Sequence, residues 1–192
     1  MQITATKIPD VKIIEPLVFA DERGYFSETL NAKKFNEALG KKKGEEIDFI
    51  QDNESFSQKN TLRGLHYQLP PFAQSKLVRV TQGRVLDVAV DIRRNSQTFG
   101  EYVGVELTAE NKKQLFIPQG FAHAFLVLSE TAKFSYKVDN YYSPEHDRGI
   151  LFSAPEISGG KGIDWGVLTE DLIVSEKDKN QPLLKNAYIF EG

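Results

Sequence analysis

Apolar residues along this chain come in short runs, not in long helical stripes. Runs rich in Val, Ile, Phe and Tyr recur between Gly, Pro, Asn and Asp, the pattern of many strands joined by turns. The clearest predicted strands are Ser75 to Thr81, Val85 to Ile92, Tyr102 to Leu107, Gln114 to Ile117, Ala122 to Leu128 and Lys133 to Tyr141, and Gln82-Gly83 reads as a hairpin turn between the first two. Helical signal is confined to Asn31 to Leu39, which Gly40 can end, and to Ser143 to Arg148. The pattern therefore predicts an all-β sandwich or barrel with a few short helices as accessories. The charged run Lys41 to Glu46 reads as a solvated loop. Ser158 to Gly162 lacks the spacing and the following Ser or Thr of a phosphate loop, so it reads as a flexible loop.

Composition narrows the class without naming a function. At 192 residues the chain suits one domain, taken as 1–192, with a core large enough to fold alone. A hydrophobic fraction of 40% and a charged fraction of 27% are ordinary for a globular protein. The formal net charge of -3 offers no general attraction to nucleic acid or to an anionic membrane, so neither is an expected partner. Cysteine is absent, which removes disulfides, thiolate metal sites and cysteine nucleophiles together. The first residues lack the apolar segment of a signal peptide and no later run approaches the length of a membrane span, so a cytoplasmic protein is expected.

Three histidines, His66, His123 and His146, are the first candidates for chemistry. Period-two alternation in Leu62 to Gln68 puts Gly64, His66 and Gln68 on one strand face and Leu65 and Tyr67 on the other. Lys76, at the start of the next strand, can reach the same interior as His66 or face solvent. Asp87 and Asp91 share a face of their strand, where solvent exposure is at least as natural as catalysis. Tyr136 shares a face with Phe134 and Val138 and reads as a core tyrosine.

Pro118-Gln119-Gly120-Phe121-Ala122-His123 resembles the second cupin motif, in which a turn aims a histidine into a β-barrel. The first cupin motif's metal ligands are missing: Gln68 stands two positions after His66, and no further histidine completes a set. Metal sites generally take three or more protein ligands, so no catalytic metal and no cofactor are expected. A barrel of this kind carrying Asp21 to Glu28, Gln51 to Ser55, Leu62 to Gln68, Pro70 to Val78, Gly83 to Arg93 and Tyr136 to Pro144 resembles the dTDP-4-dehydrorhamnose 3,5-epimerase family, from Ile8 to about Pro182.

That resemblance implies a cupin-like double-stranded β-helix, or jelly-roll barrel, that inverts C3 and C5 of a dTDP-linked 4-keto-6-deoxy sugar. It implies His66 as the base beside the ketone, oriented by Asp178, with Lys76 on the C4 oxygen and Tyr136 as acid on the opposite face. An unperturbed histidine titrates near about 6.5, and general acid–base assistance contributes roughly 10²–10⁴ in rate. The resemblance also implies substrate contacts from Arg23, Phe26, Glu28, Gln51, Asn53, Arg63, His123, Tyr142, Asp147 and Lys177. The family commonly has glutamate where this chain has Asp147. A homodimer is implied, with the N-terminal segment lending a residue such as Phe26 to the partner's site. Two competing readings share the barrel: a C3-only epimerase or keto-sugar isomerase, and a sugar-binding module without chemistry.

Overall fold

The computed structural model describes residues 1–191; Gly192, the last residue of the expected domain, lies outside them. Four short strands come first: β1 (Gln2–Ala5), β2 (Lys12–Glu15), β3 (Val18–Asp21) and β4 (Gly24–Ser27). After α1 (Ala32–Ala38) come β5 (Gln51–Gln58), β6 (Thr61–Gln68), β7 (Lys76–Gln82) and β8 (Arg84–Asp91). Next are β9 (Tyr102–Thr108), β10 (Gln114–Ile117), β11 (Phe121–Val127), β12 (Thr131–Val138) and β13 (Asp147–Gly149). The chain closes with α2 (Ile157–Gly160), β14 (Ile173–Val174) and α3 (Glu176–Lys179).

One sheet runs β1-β2-β10-β7-β12-β5 and the other β13-β6-β11-β8-β9, while β3 and β4 pair only with each other. The two large sheets face one another as a cupin-like jelly roll. Between them Val78, Val85, Ala89, Leu107, Leu115, Phe125 and Phe134 form the barrel interior. A second apolar layer covers the outside of the β6–β11–β8 sheet, where Leu65, Val88, Val90 and Ala124 meet Ile150, Trp165 and Leu184 from the C-terminal segment. Burying each large apolar side chain stabilises by about 1.5–3 kcal/mol, so this segment is part of the fold and not a tail. Among the described residues, no helix is long and apolar enough to cross a membrane.

Local signals explain most element boundaries. The Asn31 side chain accepts the Lys34 amide at 3.2 Å and starts α1, while Gly40 follows the C-cap at φ 69. The helix lays Phe35 edge-on against Phe116, with centroids 5.4 Å apart, on the outside of the first sheet. Lys41 to Glu46 is exposed, as its charge predicts.

Two expectations need correction. Ser143 to Arg148 is no helix: the amides of His146 and Asp147 both close on the Ser143 carbonyl in a single turn, and Asp147 to Gly149 then pair with β6. The ladder captures residues that local Ser-Pro chemistry would have sent into a second helical turn. Ser158 to Gly162 is tied down, not free. It includes the broken helical turn α2, with Ser158 and Gly159 in left-handed conformation, and the Ser158 amide bonds the Gly100 carbonyl at 2.9 Å.

Candidate active site

The β6 strand is the floor of a cavity of about 510 Å³ at one end of the barrel. His66 stands directly across from His123 of β11, and the register between these strands slips before Phe125. At the slip Gly64 approaches β11 so closely that a Cβ there would lie 2.3 Å from the Ala124 Cβ. Only a glycine permits that approach. Its amide donates to Asp178 Oδ2 at 3.3 Å, so the same residue that lets the strands close also binds the carboxylate beside His66.

Asp178 is delivered from far along the chain. Parallel pairing of Ile173 with Thr61 and of Val174 with Leu62 draws β14 alongside β6. Ser175 then caps α3 by accepting the Asp178 amide at 3.1 Å. The Asp178 carboxylate, 3% exposed, meets His66 Nε2 at 2.6 Å. Its hydrogen bonds to His66, Gly64 and Ser175 hold its pKa below the ordinary aspartate value against the opposing effect of burial. An ionised, fixed carboxylate on one ring nitrogen sets the tautomer and leaves the other nitrogen to accept a proton.

Lys76 opens β7, and the structure decides its open orientation: it is buried and lines the cavity. Burial lowers its pKa to about 8, opposed by attraction to Asp87 and Asp147. Its ammonium donates to the His66 carbonyl over a long 3.4 Å. Tyr136 is half-buried on β12 and lines the same cavity, so it is more than a core residue. Burial raises its phenol pKa, opposed by Arg63, and it stays protonated near neutrality. Arg63 is aimed along the cavity by a 3.1 Å bond from its Nε to Ser57 Oγ. The stacked rings of Phe125 and Phe134, 4.2 Å between centroids, supply an apolar wall.

His123 also faces the cavity, stacked on Phe134, with Nε2 2.9 Å from Asp87 Oδ2. Burial lowers its pKa, so the ring is neutral at pH 7. Asp87 and Asp91, for which exposure was at least as natural from the sequence, are both fully buried. Asp91 is structural: Arg93, Ser96 and Thr98 all donate to it, at 2.6–3.0 Å. Asp87, which the alternation pattern leaves open between catalysis and exposure, lies beside His123. The pairing of Phe125 with Asp87 and of Ala89 with His123 explains why its carboxylate lies beside the imidazole. Gln68 does not join His66 in the cavity. Buried, it bonds the carbonyls of Phe72 and Tyr141 and the amide of Ser143, pinning the loops on either side.

The expected substrate contacts fall into two groups. Lys177 lines the cavity and is paired with Asp147, which also accepts the Tyr142 hydroxyl at 3.3 Å. The Tyr142 amide donates to Gln51 Oε1 at 3.4 Å, and Gln51 donates to Asn53 at 2.9 Å. These five residues form a connected polar rim, of which only Lys177 lines the cavity itself. Arg23, Phe26 and Glu28 lie outside the cavity: Arg23 is held by Asp21, Glu28 by Lys34 at 2.8 Å, and Phe26 is 68% exposed on the β3–β4 hairpin. Among the described residues, no group of three or more His, Asp or Glu side chains converges as a metal site requires. His66 and His123 are each committed to a carboxylate.

A half-buried histidine on a buried carboxylate, a buried lysine and a protonated phenol around one cavity are the parts needed for proton transfer beside a carbonyl. Comparison with known proteins supplies the family. The dTDP-4-dehydrorhamnose 3,5-epimerase family model matches residues 5–186. The chain is 55% identical over 190 residues to the Shigella flexneri dTDP-4-dehydrorhamnose 3,5-epimerase, covering 99% of both chains. A crystal structure of the Elizabethkingia anophelis enzyme superposes with a TM-score of 0.90 at 51% identity, covering 98% of this chain and 99% of that one. The Legionella pneumophila 3,5-epimerase, solved in complex with dTDP-4-keto-L-rhamnose, gives a TM-score of 0.90 at 46% identity over 100% of this chain and 98% of that one. The chain belongs to the dTDP-4-dehydrorhamnose 3,5-epimerase family.

Proposed function

We propose that this chain inverts C3 and C5 of dTDP-4-dehydro-6-deoxy-D-glucose to give dTDP-4-dehydro-L-rhamnose. The observation that carries the reading is the 2.6 Å contact between His66 and the buried Asp178, facing a cavity that also holds Lys76 and Tyr136. His66 removes the proton next to the C4 ketone while Asp178 stabilises the imidazolium that forms. The electron pair moves onto the C4 oxygen, where the Lys76 ammonium stabilises the enolate. Tyr136 then donates its phenolic proton to the opposite face of the carbon; the imidazolium passes its proton to solvent and the tyrosinate takes one from solvent, and with both groups reset, repetition at the second carbon completes the double inversion. A sugar-binding module has no use for this base, acid and buried cation together.

Arg63 and Lys177 suit the diphosphate, Arg63 by its planar fork and Lys177 as a point charge that exchanges Asp147 for a phosphate oxygen. Gln51, Asn53 and Tyr142 lie together on the rim, where the thymine base would bind, and His123 offers a neutral imidazole to the sugar. Arg23, Phe26 and Glu28 would then act across a homodimer, in the partner's site. The exposed Phe19, Tyr25 and Phe26 of their hairpin give it an apolar surface suited to that role. The single domain acts in the cytoplasm.

Incubation with dTDP-4-keto-6-deoxyglucose in D₂O, followed by NMR of the C3 and C5 protons, tests the reading. Exchange and inversion at both carbons are expected. Exchange at neither would overturn the proposal, and exchange at C3 alone would select a single epimerase.

A further inference from the structure

Asp87 is fully buried on β8, yet only one of its oxygens is satisfied. Oδ2 takes His123 at 2.9 Å, whereas Oδ1 is inaccessible to solvent and has no hydrogen-bond partner among the described residues. A buried carboxylate so placed calls for compensating positive charge nearby. His123 does not supply it, being neutral at pH 7. Across the barrel, on the facing sheet, Lys76 has the complementary deficit. Its buried ammonium has three donors, and its one hydrogen bond among the described residues is the long contact to the His66 carbonyl.

We propose that Asp87 is the positioning residue that keeps Lys76 charged, its carboxylate fixed by His123 on one oxygen and left open on the other as the buried counter-ion of the ammonium that receives the enolate. This rests on the reading of Lys76 as the enolate-holding group. The groups around Lys76 leave no equivalent. On β6 stand His66, bonded to Asp178, and the cation Arg63; β11 brings His123 and β12 brings Tyr136. On β13, Asp147 is already engaged by Lys177 and Tyr142. The strands flanking Lys76 oppose it with Ile117 and Val138, which carry no charge. Asp87 alone among these is anionic, wholly buried and half unpaired. Its attraction is the largest influence resisting the loss of the Lys76 proton to burial.

The test is a lysine-selective ¹³C NMR titration of the full-length, substrate-free enzyme, with the Lys76 signal assigned by its loss in Lys76→Met. Lys76 of the unsubstituted enzyme is expected to titrate near 8. In Asp87→Asn the midpoint falls by about one unit or more, a tenfold change in proton affinity, and Asp87→Glu restores it. An unmoved midpoint in Asp87→Asn overturns the proposal. So does a midpoint for the unsubstituted enzyme at the ordinary lysine value. If Asp87→Asn does not fold, the unsubstituted enzyme still decides the matter: the Asp87 carboxyl carbon must shift in step with Lys76, because the two charges are coupled, and a flat carboxyl signal across that pH overturns it. None of these readings needs turnover. Failure of deuterium exchange would therefore count against the epimerase reading alone, and failure of the titration against the role of Asp87 alone.

Discussion

At the scale of single residues, the proposed roles separate by what each substitution leaves intact. His66→Asn keeps the shape of the cavity and a polar group beside Asp178 but removes the base. Steady-state kinetics are expected to show kcat lower by roughly 10²–10⁴ with KM little changed. Tyr136→Phe removes only the acid. His66 can still take the proton and return it to the same face, so NMR in D₂O is expected to show deuterium entering C3 while inverted product falls about 10²-fold or more. Inversion at the normal rate would remove Tyr136 from the mechanism. Individual residues were legible in the sequence to different depths. His66 announced itself as a polar residue on a packed strand, but nothing local marked Asp178, which without the family resemblance reads as an exposed turn residue. Asp87 stays open between exposure and catalysis in the sequence because alternation gives the face of a strand and not what covers that face.

Between residues and the whole lie the elements, and α3 is the smallest of them with two tasks. Its consecutive residues Lys177 and Asp178 pair with Asp147 and His66, the proposed phosphate-binding rim and the proposed base respectively. Lys177→Ala is expected to raise KM by roughly tenfold with kcat nearly unchanged, the loss of one charge-assisted contact. Asp178→Asn is expected to lower kcat and leave KM near its original value, so steady-state kinetics on the two variants should split cleanly. A parallel fall in kcat for both would mean that α3 simply comes loose. Elements with alternating or continuous apolar residues, such as β8 and β11, were readable to within a residue or so. The β5 strand, Gln51–Gln58, carries no clear strand signal because its sequence is polar nearly throughout; pairing with β12 along its whole length makes it a strand. The Ser143 turn shows the opposite error, a sound local helix signal overruled by the ladder beside it.

For the whole molecule, stability and assembly are separate questions. Asp91 and Arg93 tie the end of β8 to the loop after it, and Arg93 also reaches Asp10 at 2.9 Å near the N-terminus. Removing a buried charge from such a pair costs about 3 kcal/mol or more, which for a chain of this size lowers Tm by roughly 6–12 °C. Asp91→Asn is expected to show that loss in thermal melts at pH 7. Folding lowers the Asp91 pKa, so its ionised form stabilises the protein above the unfolded aspartate value near 3.9. That contribution is lost as pH falls through the lower, folded value, so the melting difference between Asp91→Asn and the unsubstituted enzyme should close toward strong acid. Assembly is tested by mixing. If the β3–β4 hairpin serves the partner's cavity, inactive His66→Asn and arm-defective Arg23→Ala enzymes should regain activity when their subunits are exchanged, because one hybrid site is then complete. No recovery would confine Arg23 to its own subunit.

The two-residue pairing of β14 with β6 has a consequence for synthesis as well as for catalysis. The base and its carboxylate are 112 positions apart, and everything that forms the two large sheets, β13 included, is translated before Ser175 appears. A ribosome that stops before Ser175 therefore releases a chain with His66 but without Asp178, and without the C-terminal residues, Leu184 among them, that cover the β6–β11–β8 sheet. On the proposed mechanism, catalytic competence arrives with α3, so activity in a cell reports molecules that were finished, not merely molecules that collapsed.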